Sequence, residues 1–142
     1  MTSGGQHTVT YMEDDALESG QYYLYMFDNN FGYSKTRNDY DWTVNDGIQT
    51  SITEGTTSYY YQYLVDENEG TYTLVNSFEV PFSAYVSSAQ NLGNHIVVDS
   101  GIAGLLSIYD TDGNLEQQFS IKKNDRFSYR IYYYDYKGYY FS

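Results

Sequence analysis

Two imidazoles, seven basic side chains and no thiol set the limits on what this 142-residue chain can do chemically. A neutral imidazole is a good nucleophile and base near neutral pH, so His7 and His95 are the first places to look. His7 lies in Gly4-Gly5-Gln6-His7-Thr8-Val9-Thr10-Tyr11, which reads as a short strand with His7, Val9 and Tyr11 on one face. The next strand-like stretch, Tyr25-Met26-Phe27-Asp28-Asn29-Asn30, is apolar and ends in a polar turn. Asp28 and Asn29 are placed to orient an imidazole, although an Asp-Asn pair is also ordinary turn chemistry. His7 has its own plain reading, a satisfied core histidine. His95 falls inside an apolar strand and reads as structural. Arg130 shares a strand face with Tyr132, Tyr134 and Tyr136, which predicts a cation–aromatic stack in preference to an anion clamp.

Other chemistries fall away on inspection. Asp110-Thr111-Asp112-Gly113-Asn114 begins like a calcium loop, but Leu115 stands where the loop needs glycine and Ile121 where it needs a bidentate glutamate. No nucleophile elbow, phosphate-binding glycine loop or Cys/His metal cluster is present. Carboxylates are plentiful, yet no spacing favours a glycosidase pair. A net charge of −12 argues against nucleic acid as a partner, because phosphate binding needs clustered Lys and Arg. The sequence calls for no cofactor and no metal, and no segment is apolar enough to span a membrane.

The elements that must position these residues are strands. There are 20 tyrosines and a single proline, and Tyr, Thr, Val, Ile and Phe dominate the periodic stretches. Gln21 to Phe27 looks buried on both faces. Residues 30–55 break every periodicity and read as a long excursion carrying a small hairpin near Asn45-Asp46-Gly47. Ser58 to Val65 and Tyr72 to Val80 form a hairpin across an acidic turn, and Pro81 ends that unit. Phe82 to Leu92, Asn94 to Asp99, Leu105 to Asp110 and Leu115 to Ile121 follow as four short strands, the last half-exposed. Arg126 to Tyr136 reads as a further strand that Tyr139-Tyr140-Phe141 extends or pairs with. The expectation is an all-β chain of antiparallel four-stranded blades, part of a β-propeller, with a β-sandwich as the alternative. Residues 1–80 make the first blade, 81–121 the second, and 122–142 supply further strands.

Read in order, the motifs resemble those of the bacterial aryl-sulfate sulfotransferases. The Gln6-His7 strand and the Phe27-Asp28-Asn29 strand end come first, then Tyr33-Ser34 and Tyr63-Leu64-Val65-Asp66. Ser83 through Asn91, Gly93-Asn94-His95-Ile96-Val97-Val98-Asp99-Ser100-Gly101, Tyr109-Asp110-Thr111-Asp112-Gly113 and Phe127-Ser128-Tyr129-Arg130 complete the series. Each motif alone is weak; the ordered set covers most of the chain.

The resemblance implies a propeller enzyme that moves a sulfuryl group from a phenolic sulfate donor to a phenol acceptor. On it, His7 is the nucleophile that becomes transiently sulfated, Asp28 and Asn29 are supports, and Tyr33 and Arg130 contact substrate. It also implies an extracytoplasmic setting, periplasmic or secreted, although no signal peptide opens this sequence. The family's other active-site groups lie upstream of its Gln-His strand, and residues 1–6 contain none of them. The expectation is therefore a C-terminal part of a longer enzyme, inactive by itself, that self-associates through open blade edges. The competing expectation is a non-catalytic bacterial surface module binding glycan or protein through tyrosine-rich faces. A propeller with its catalysis lost stands beside both.

Overall fold

A computed structural model describes residues 4–122 and 127–135. The chain is all-β, built as two antiparallel four-stranded meanders. The first contains β1 (Gln6–Met12), β2 (Gln21–Asp28), β3 (Ser58–Asp66) and β4 (Thr71–Val80) in that spatial order. The second contains β5 (Ser88–Asn91), β6 (Ile96–Ser100), β7 (Leu105–Tyr109) and β8 (Leu115–Ser120). Up-and-down order in both sheets is the order of propeller blades, and neither sheet closes on itself.

One face of each sheet meets the other. Tyr25, Phe27, Tyr60 and Val80 from the first pack on Ala89, Ile96, Val98 and Tyr109 from the second. Phe78 bridges them, its ring 4.9 Å from that of Tyr60 and 4.8 Å from that of Tyr109. Aromatic rings suit this gap because they bury large areas at low rotamer cost, but a buried phenol needs partners. The Tyr60 hydroxyl donates to Gln62 Oε1 at 3.1 Å and accepts from Asn91 Nδ2 at 3.0 Å, so side chains satisfy it.

The chain passes between sheets through residues 81–87, a crossing that is buried and irregular where the sequence predicts strand from Phe82 onward. Without a ladder, its backbone groups must be met by side chains. Asn29 Nδ2 donates to the carbonyls of Ser83 and Val86. Ser58 Oγ accepts from Ser83 N at 3.0 Å while donating to Asn29 O. Ser87 Oγ donates to Ser83 Oγ at 2.8 Å and accepts from Gly101 N, and Ser83 Oγ accepts from Ile102 N. Val86 and Ser87 sit at φ 59° and 86°, a region that costs such residues of order 1–3 kcal/mol and persists only where the surroundings impose it. This hydroxyl and amide knot does so.

Three further expectations change. Residues 30–57 are ordered: a 3-10 turn spans Trp42–Val44, Ile48 N bonds to Asn45 O, and Phe31 makes a parallel bridge to Gln49, which replaces the expected hairpin. Strand β8 is exposed along its whole length, Leu115 and Phe119 included, because none of the described residues packs outside it. Residues 127–135 are not a strand. They run beside β5 held by its side chains, Ile131 exchanging bonds with Ser88 Oγ and Tyr133 with the Gln90 amide. The Tyr139-Tyr140-Phe141 expectation lies outside the described residues.

Replacing Asn29 with alanine strips two buried carbonyls of their donor. We expect a loss of about 2–4 kcal/mol in unfolding free energy, measured by urea unfolding. A loss well under about 1 kcal/mol would show that the crossing is held by other contacts.

Candidate functional site

His7 opens β1 opposite Phe27, and the next paired position is Thr10 with Tyr25. Thr8 and Val9 therefore both stand against Met26, a β-bulge, with Thr8 at φ 52°. The bulge is fixed by Thr10 Oγ1 donating to Thr8 O and by Ala89 N donating to Thr8 Oγ1 at 3.2 Å. Its consequence reverses the face expected from strict alternation. Cross-strand partners share a face, so His7 goes with Phe27 toward the inter-sheet side, while Val9 and Tyr11 turn outward. Tyr11 accordingly stacks on Tyr22, and Val9 is half exposed.

The half-buried imidazole lines a cavity of about 410 Å³ together with Gly5, Asn29, Phe31, Tyr33, Ile52, Ala84 and Tyr85. Burial, and then the positive charge of Arg130, hold its pKa below the ordinary value of 6.5. The neutral, nucleophilic form is thus the form present at neutral pH.

Among the described residues no hydrogen bond joins His7 to Asp28 or Asn29. Asn29 contributes to the cavity wall and ties down the 83–86 crossing, which carries Ala84 and Tyr85. Asp28 faces the opposite side of β2, across from Gln6 and Tyr59, and accepts from Gly4 N at 2.9 Å. Burial pushes its pKa up to about 6 against the pull of the Asn30 and Gly4 N–H groups. It holds the entry into β1 rather than the imidazole. Asp99 repeats the arrangement in the second sheet: buried, raised by burial, with Ser128 Oγ donating to Oδ1 at 2.6 Å.

Tyr33 is in the cavity wall, mostly exposed, with its ring stacked on Phe31 at 6.3 Å. Arg130 is exposed and its guanidinium lies 4.9 Å from the ring of its neighbour Tyr129. The stack predicted for it exists, but on Tyr129 in place of the even-numbered tyrosines, because residues 127–135 do not alternate as a strand. His95 precedes β6, half-exposed, with Nδ1 2.7 Å from Glu116 Oε2, an exposed surface contact of little energetic weight. The Asp110 carboxylate is taken up by the N–H groups of Asp112 and Asn114 in its own turn. Among the described residues no group of three or more His, Asp or Glu side chains could hold a metal ion, and no helix is long and apolar enough to cross a membrane.

Phe31, Ile52, Ala84 and Tyr85 escaped the sequence reading because they sit in irregular segments. The available signal was apolar side chains inside otherwise polar stretches. A larger groove of about 740 Å³ lies on the outer face of the first sheet, lined by Val9, Tyr22, Leu24, Met26, Tyr63, Val65 and Tyr72. It holds no histidine, only the acidic Asp66 and Glu67, so the smaller cavity is the candidate reaction site.

The Arylsulfotransferase (ASST) family profile matches residues 1–139. The chain belongs to the arylsulfotransferase family. Sulfotransferase-related chemistry, with aryl sulfates and phenols as the family's general substrates, is therefore the frame for this cavity. Searches of curated proteins and of solved structures gave no match.

Asp28 yields a pH prediction with a definite sign. A carboxyl whose folded pKa is raised to about 6 from 3.8 binds more protons folded than unfolded in that window. Stability is therefore greatest below the unfolded value and falls as pH rises through 6, by up to about 3 kcal/mol. Urea unfolding between pH 4 and 7 should show that decline, and Asp28→Asn should flatten it. A parallel slope in the variant would assign it to other groups.

Proposed function

We propose that His7 carries a sulfuryl group between phenols in two steps. The observation that carries this reading is a neutral, half-buried imidazole in the wall of an aromatic cavity, in a chain of the arylsulfotransferase family. In the first step an imidazole nitrogen attacks the sulfur of an aryl sulfate. The N–S bond forms as the S–O(aryl) bond breaks, and the phenolate leaves with the electron pair. In the second, the acceptor phenol loses its proton to solvent and its oxygen attacks sulfur; the new S–O bond forms as the N–S bond breaks, the electron pair returns to the imidazole nitrogen, and a new aryl sulfate leaves. Splitting the transfer in this way replaces one termolecular encounter with two displacements at a fixed nucleophile.

Arg130 supports the scheme electrostatically. Its charge favours the neutral imidazole in the resting protein and stabilises the negative charge spread over the sulfuryl oxygens during transfer. Tyr33 supplies contact area for the aryl group. Asp28 and Asn29 act at one remove, by fixing the β1 entry and the cavity wall.

The outer groove favours a second reading, a binding module that associates with another β surface. Among the described residues, Val9 and Tyr72 stand exposed on this groove beside the half-buried Tyr22, Leu24 and Tyr63, an apolar patch on the first sheet. Self-association through it is tested by sedimentation across a concentration series. A monomer at every concentration sinks the association.

The transfer reading is tested with a chromogenic aryl sulfate and phenol on this chain and on a longer parent enzyme containing it, each with and without His7→Ala. His7→Ala should abolish turnover and the acid-labile sulfated histidine seen by mass spectrometry, with the fold intact. Undiminished turnover in that variant would remove His7 from the role. The rate should fall on acidification through an apparent pKa below 6.5, as the imidazole protonates. Arg130→Ala should move that limb upward, since the arginine charge is one of the two causes depressing it.

A further inference from the structure

The two ends of β1 touch different cavities. His7 begins the strand and lines the one already described; Met12 ends it and lines another, of about 590 Å³, walled by both sheets. Gln62 and Asn76 are paired across β3 and β4 and so share a face of this second cavity. Tyr23 stands opposite Met12, and Asn91 closes β5. Glu13, Asp14 and Asp112 add carboxylates from the turns, and among the described residues no cationic side chain lines the space.

Gln62 carries an imbalance. It is only 9% exposed, and its Oε1 accepts from the Tyr60 hydroxyl at 3.1 Å and from Asn91 Nδ2 at 3.3 Å. Turning the amide over is blocked: Asn91 Oδ1 is taken by Gly93 N at 2.8 Å, so Asn91 must offer Nδ2 to Gln62 and Gln62 must offer oxygen in return. Among the described residues nothing accepts from Gln62 Nε2. A buried amide donor without an acceptor is costly, and the cavity that Gln62 lines is where an acceptor can stand. The rest of the wall has the opposite need. Asn76 spends Nδ2 on Thr111 O and keeps Oδ1 as an acceptor. Glu13 and Asp14 each commit one oxygen, to the Tyr11 hydroxyl and to Ala16 N. Asp112 is engaged through its N–H alone, which leaves its carboxylate open.

We infer that this cavity is a saccharide site, taking a neutral sugar of one or two rings. Its ligand must accept from Gln62 while donating to Asn76 and the carboxylates. An ammonium or guanidinium group only donates, so it leaves Gln62 unmet; an anion only accepts and faces three carboxylates with no cation beside it. Hydroxyl groups do both, and a sugar presents several at fixed angles. Tyr23 has no ring partner among the described residues, so its face is left for the apolar C–H face of a pyranose. A volume of about 590 Å³ lies within the range of small-molecule sites. The inference makes no use of His7 or of sulfuryl transfer.

The test is saturation-transfer NMR on the full chain with maltose, cellobiose and lactose, neutral disaccharides that differ only in linkage and one epimer, and with putrescine as the cationic control. At least one disaccharide should receive saturation, and putrescine should neither receive it nor displace the sugar. Gln62→Glu keeps the acceptor for Tyr60 and Asn91 and removes only the donor. It should weaken binding by about five-fold or more, the weight of one hydrogen bond. Asp112→Ala, on an exposed turn, should do the same and keeps the test decisive if Gln62→Glu fails to fold. Tyr33→Ala, in the His7 cavity, should leave the affinity at the parent value. Four outcomes would each overturn the inference: no saturation of any disaccharide at millimolar concentration, equal saturation of putrescine, parent affinity in both Gln62→Glu and Asp112→Ala, or sugar binding lost in Tyr33→Ala.

Discussion

Everything in this structure depends on satisfying the backbone of a buried crossing. Residues 81–87 leave one sheet and enter the other without a ladder to join, and an unpaired buried carbonyl or N–H costs as much as a lost hydrogen bond. Asn29, Ser58, Ser83 and Ser87 meet that requirement with short side chains that reach the main chain directly. The same knot imposes left-handed backbone on Val86 and Ser87 and sets the height of Ala84 and Tyr85 over His7. Stability and site geometry are thus linked in this region, because Asn29, which holds the crossing, also lines the cavity.

A second constraint comes from the bulge in β1. One extra residue against Met26 sends His7 to the inter-sheet side and frees Val9 for the outer face. The imidazole then sits where burial and the Arg130 charge both disfavour protonation. Had the strand continued with regular alternation from Tyr11, His7 would lie on the outer face with Asp66 and Glu67, whose charges would raise its pKa instead. A single backbone irregularity decides whether the imidazole lines the inter-sheet cavity or lies on the acidic outer face.

The two sheets also echo one another. Asp28 and Asp99 occupy the end of the second strand in each, both buried and both accepting from a segment that crosses that end, Gly4 in one case and Ser128 in the other. Gly101 makes the second crossing possible, since a Cβ there would strike the Ser128 carbonyl. Residues 127–133 therefore stand to the second sheet much as the start of β1 stands to the first, with Ser88 and Gln90 supplying the bonds that a ladder would otherwise make.

Sequence alone determined the strand-rich composition, the all-β class, the hairpin across Asp66 to Gly70 and the family, because period-two burial and turn chemistry are local and because motif order survives weak individual motifs. Of the five residues it singled out, the tertiary structure brings His7, Asn29 and Tyr33 to one cavity. It did not determine which face His7 takes, since a bulge is set by hydrogen bonds to Ala89, far along the chain. Nor did it reveal that Asp28 and Asn29 point to different tasks, or that Phe31, Ile52 and Tyr85 complete the wall. Those placements belong to the tertiary structure because irregular segments have no period to read, and their side chains are aimed by partners that adjoin only once the two sheets have packed.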